Sequence, residues 1–133
     1  MNINLDLTLT EIEKDDWGEP SYNSHLVITC HELRKKPLKD FTIEDLRIMI
    51  GQDISLDYLM PLAIERLQKD ILAEGDFYPG DLLKSLLDSD RSFWINNKDY
   101  WQRVINLYSE SKHLTDRDRQ ITKSFIIFEK IFS

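Results

Sequence analysis

The feature that most constrains this chain is an apolar stripe near its middle. Leu56, Leu59, Met60, Ala63, Ile64 and Leu67 recur at i, i+3, i+4, i+7, i+8 and i+11, the spacing that lines one side of an α-helix. A stripe this wide must be buried, and in the middle of a 133-residue chain only helices from both flanks can cover it. The expected fold is therefore all-α: a compact bundle of about six to eight helices packed around the helix near residues 56–69. Pro61 interrupts the pattern, because proline removes a helical N–H and fits best in a first turn. The helix either starts near Tyr58 or bends there.

The flanks read as further helices. Thr8 with Glu11, and Thr42 with Asp45, have the spacing of capping boxes at helix N-termini, and Gly51 is expected as a left-handed stop between the helix at 42–50 and the central one. Tyr22, Leu26, Cys30 and Leu33 form a stripe that ends in Arg34, Lys35 and Lys36, where cations suit the negative end of a helix dipole. Pro79 suits the first turn of a helix carrying Leu82, Leu83, Leu86 and Leu87. The segment 90–95 leads into a helix bearing Trp101, Val104, Ile105 and Tyr108, started at Asn97. A last helix is expected to begin near Thr115 and to bury Ile121, Phe125, Phe128 and Phe132. The residues from Asn2 to Leu9 alternate in polarity but have no second strand to pair with.

Composition limits the function. With 41% apolar and 31% charged residues the chain is an ordinary globular sequence, read as one domain over residues 1–133. No uncharged run reaches the roughly 20 apolar residues of a membrane span. The acidic N-terminus is not a secretory signal, and a lone Cys30 agrees with a reducing compartment, so a cytoplasmic protein without membrane contact is expected. Net charge is −7 and uneven: residues 1–19 carry six acids and one base, residues 53–90 nine acids and three bases, and residues 91–133 sum to +3. Such a surface steers basic partners and opposes direct binding of nucleic acid. The plainer reading is a solvated surface that keeps the protein soluble.

Catalytic signatures are missing. There is no glycine-rich phosphate loop, no HExxH, no nucleophile elbow and no cysteine pair, so no enzyme and no cofactor is expected. His25 and His31 are six residues apart, about 120° around a helix and too far for a shared metal. Glu74, Asp76 and Asp81 lack the ligand spacing of a calcium loop and read as turn-capping acids, so no metal site is expected. Trp17 reads as a plug at the core edge. The two helices meeting at Gly51 suggest a helix-turn-helix, but Asp57 and Glu65 stand where a DNA-reading helix needs Arg, Lys, Asn or Gln.

The strings DDWGEP (15–20), KDFTIEDLRIMIGQ (39–52) and EGDFYPGDLL (74–83) carry a resemblance. Over residues from about 9 to 87 the chain resembles immunity proteins of bacterial contact-dependent growth inhibition (CDI) systems. The resemblance implies a small cytoplasmic protein that binds the C-terminal toxin domain of a cognate CDI effector, often a nuclease, and blocks it. It does not carry over an interface. From charge and position we expect the contacts at Asp15, Asp16 and Glu19 in the first loop, Asp53 and Asp57 at the central corner, and Glu74 and Asp76 before Pro79, with the protein acting as a monomer. The competing placement is the C-terminal helices. The alternative function is an acidic helical adaptor or regulatory protein.

Overall fold

A computed structural model describes residues 3–21 and 24–133, and Tyr22 of the second stripe lies outside them. Nine α-helices appear among these residues: α1 (Leu9–Glu13), α2 (His25–Leu33), α3 (Ile43–Gly51), α4 (Leu56–Lys69), α5 (Asp81–Leu87), α6 (Arg91–Ile95), α7 (Lys98–Glu110), α8 (Lys112–Thr115) and α9 (Arg119–Glu129). Two 3₁₀ turns, Leu38–Asp40 and Lys130–Phe132, complete the order, and no strand occurs among the described residues. The all-α expectation holds. The count exceeds six to eight because α6 and α8 are one-turn helices, too short to leave a periodic signal in the sequence.

All six residues of the central stripe are buried. At about 25 cal/mol per Å² of apolar area, each large side chain on that stripe is worth roughly 1.5–3 kcal/mol over exposure. α4 begins at Leu56 and runs through Pro61, so the carbonyl of Asp57 loses its intrahelical donor. α5 shares the centre: Leu82, Leu83, Leu86 and Leu87 are all buried, and it packs on α3, α4 and α9. Both capping boxes form as expected, with Thr8 and Thr42 each accepting from the third residue of its helix.

Several boundaries fall elsewhere than expected. Gly51 is the last residue of α3 and is not left-handed; Asp53 (φ 56°) and Ser55 (φ 53°) make the corner instead. Four residues, 52–55, connect the two helices, and short polar side chains tolerate the left-handed region there. α5 starts two residues after Pro79, capped by Gly80 at φ 92°, where a Cβ would come within 2.6 Å of Ile121 Cδ1. α9 starts after Asp118, whose carboxylate accepts from Gln120 and Ile121, a stronger cap than Thr115, which ends α8. The alternating N-terminal stretch docks without a sheet: the carbonyls of Leu5 and Leu7 accept from Lys39 and Leu38. No helix among the described residues is long and apolar enough to cross a membrane.

Candidate functional site

The loop after α1 is built on a buried cation. Arg34, expected only as one of three cations suited to the C-terminal end of α2, is 2% exposed. It turns back under the loop: Nη1 donates to Glu13 Oε1 at 2.5 Å and to Ser55 Oγ at 3.2 Å, and Nη2 donates to the Asp15 carbonyl at 2.8 Å. Ser55 closes the set by donating to the Glu13 carboxylate. A guanidinium removed from water needs close pairing, which the two terminal nitrogens of Arg34 find here, while its buried Nε has no hydrogen-bond partner.

Trp17 lies across this group, with the Arg34 guanidinium 4.4 Å from its ring centroid and the His31 ring edge-on at 5.2 Å. It covers the ion pair and still presents 40% of its surface, so it is less a core plug than expected. Loop shape is set further by the Gly18 N–H, which donates to Asp16 Oδ1 at 2.8 Å, and by His31 Nδ1, 3.2 Å from the Gly18 carbonyl. His31 therefore has a structural task, while His25 is exposed at the start of α2. No cluster of three or more metal-ligating side chains occurs among the described residues.

Because Arg34 and Ser55 join the first loop to the α3–α4 corner, two of the three expected acidic groups share one end of the fold. Asp15, Asp16, Glu19, Asp53 and Asp57 are all exposed there. Between them lies a cavity of about 150 Å³ whose lining includes Trp17 and His31 on one side and Gln52 and Ile54 on the other. Asp53 also has a scaffold role, as its Oδ1 accepts from Asp90 N at 2.8 Å.

The third group stands apart. Glu74 and Asp76 are exposed in the turn before α5, and that turn leans on the first half of α3: Glu44 Oε1 accepts from Asp76 N at 2.9 Å. About 12 Å of helix separates this point from the corner. Inside the turn, Asp81 is 2% exposed, and its carboxylate accepts from the N–H groups of Gly75, Phe77 and Tyr78. Capping is its observed task. Arg47 holds Glu44 through two donors, at 2.6 and 2.5 Å, and stacks on Phe77 at 4.5 Å. That hydrogen bonding from Arg47 keeps the Glu44 carboxyl below the usual glutamate range, and the same contact raises the Arg47 pKa.

Asp81 caps the turn as its sequence position suggested; the organiser missed in the sequence is the buried Arg34. Arg34 is 21 positions from Glu13, so no local spacing marks the pair. The available signal was weaker: an arginine directly after the apolar Leu33, with a tryptophan set among acids upstream.

Compared with known families, residues 11–104 match the CDI immunity proteins. The match continues past the quoted motifs, through α6 and into α7. Neither the curated proteins nor the solved structures give a match.

Proposed function

The chain belongs to the CDI immunity proteins, and on that premise we propose that it occupies the basic active cleft of the nuclease domain of its cognate effector. A nuclease must attract a polyanion, so its cleft is basic, and carboxylates held in a fixed array can stand in for phosphates. Inhibition by occupation asks for no catalysis and no cofactor. The inhibitor acts as a monomer in the cytoplasm, where an incoming toxin domain would meet its substrate.

The observation that carries this reading is that Arg34 ties the loop bearing Asp15, Asp16, Trp17 and Glu19 to Ser55 at the corner between exposed Asp53 and Asp57. Preorganisation matters because a loop already ordered loses little entropy on binding. Trp17 adds an aromatic contact of the kind that anchors interfaces. Glu74 and Asp76 lie outside this array and contribute only long-range attraction.

The test is association with the C-terminal domain of the effector encoded beside this gene. Raising salt should slow association far more than it speeds dissociation. Asp15→Lys with Glu19→Lys, and separately Asp57→Lys, avoid the carboxylates of Asp16 and Asp53 that hold backbone. Each variant should associate about tenfold more slowly or worse at low salt. Wild-type association in both would sink the acidic-end reading.

A further inference from the structure

At another place in the fold the charge reverses. An open groove of about 710 Å³ runs between the turn before α5 and the α8–α9 connection, with Leu72, Tyr78, Pro79 and Leu114 as apolar lining and His113, Arg117 and Arg119 as its bases. Asp118 also lines it, but its carboxylate is committed to the N-terminus of α9, accepting from Gln120 N at 2.9 Å and Ile121 N at 3.1 Å. Among the described residues no carboxylate lies within salt-bridge distance of Arg117, Arg119 or His113. With Asp118 still charged, the lining of Arg117, Arg119 and Asp118 carries a formal charge of only +1, yet that is opposite in sign to the chain's net −7, and it sits beside exposed Tyr78 and Leu114.

The groove's composition is divided in another way. Leu72, Tyr78 and Pro79 belong to the segment that matches the family, whereas His113, Leu114, Arg117 and Arg119 lie beyond residue 104, outside it. A basic cleft is a property that nucleases share, so an acidic array attracts many of them and distinguishes few. Discrimination requires contacts that a wrong partner meets as repulsion or leaves unpaired. A cationic groove on an acidic inhibitor does this, because a uniformly basic toxin surface is repelled by it.

We propose that this groove is the specificity site of the inhibitor: it receives an acidic segment of the cognate toxin domain that carries an apolar side chain. The carboxylates pair with Arg117 and Arg119, and the apolar side chain packs on Tyr78, Pro79 and Leu114. A polyanionic nucleic acid is disfavoured, since the acidic remainder of the chain opposes it. The proposal rests on toxin binding, and deepens it by adding a second, oppositely charged contact.

The experiment uses the full chain and the same effector domain, with kinetics measured for Arg117→Glu/Arg119→Glu and for Leu114→Ser. All three positions are exposed, and the Asp118 cap is left intact. The double variant should raise the dissociation rate at least about tenfold. Leu114→Ser should raise it less, and it stands alone as the test if the double variant proves unfolded by its thermal melt. Binding of an unrelated basic nuclease domain should strengthen in the double variant, because repulsion has been removed. Wild-type dissociation in both variants overturns the groove while leaving the acidic end in place. Tighter cognate binding by the double variant overturns it too. Failure of the wild-type chain to bind the effector domain removes both readings together.

Discussion

Two acidic segments of this molecule are fixed by opposite means. The loop at 15–19 is arranged over a buried cation, Arg34, which collects a carboxylate, a carbonyl and the face of Trp17. The turn at 74–78 is arranged around a buried anion, Asp81, which collects three N–H groups, while Arg47 covers Phe77 from α3. In the first case the organising charge is opposite to the loop's own, is matched by Glu13, and holds the loop by its backbone, leaving the carboxylates of Asp15, Asp16 and Glu19 out of the buried pair. In the second, Asp81 adds to the negative charge of Glu74 and Asp76, and the compensation comes from Arg47, whose Nε is 3.9 Å from Asp81 Oδ2. The first design leaves an array of carboxylates facing solvent; the second directs its strongest polar contacts inward. This contrast is why the first segment is the better candidate for meeting a cationic partner.

The comparison can be broken most directly at Arg34. Arg34→Met keeps volume but leaves Glu13 unpaired and the loop without its centre, and should cost about 3–5 kcal/mol. The measurement is denaturant unfolding, and a cost below about 1 kcal/mol would mean that the cation is not what fixes the loop. Asp81→Asn should cost less, about 1–3 kcal/mol, because the amide keeps one acceptor for the three donors. If it proved the larger of the two, the anion-centred turn would be the more important anchor.

A pH series sharpens the same contrast. Glu44 holds Asp76 N and is itself held below the ordinary glutamate range by Arg47. A carboxyl whose folded pKa is lower than its unfolded one adds stability above the unfolded value, and that contribution fades as pH falls through the folded value. Wild type should therefore exceed Glu44→Gln by on the order of 1 kcal/mol at neutral pH, with the difference shrinking under acid. Parallel melting curves from pH 7 to 3 would show instead that the pair contributes nothing to the turn.

The helical architecture was legible because its signals are local. The leucines of α5 and both capping boxes lie within one or two turns of sequence and the stripe on α4 within about three, and each appears where its spacing puts it. The corner was only half legible. Glycine at position 51 suggested a left-handed stop, yet the helix uses it as an ordinary last residue and turns at Asp53 and Ser55. Of the candidate site, the exposure of all seven expected acids could be anticipated from their places in loops or, for Asp57, at a helix end, but their grouping could not. That grouping depends on Arg34 meeting residues 13, 15, 17 and 55, a convergence that no periodicity encodes.

The Glu13–Ser55 contact has a consequence in time. It spans 42 positions, so the chain between must be closed before the hydrogen bond forms. Helices α3 and α4 meet through short-range contacts and need no such closure. The acidic loop should thus acquire its shape late in folding, after the corner is in place, and a chain still emerging from the ribosome cannot present it until well past Ser55. If that loop meets the toxin, the rate of folding, as much as the final affinity, sets how soon a new copy can bind after synthesis.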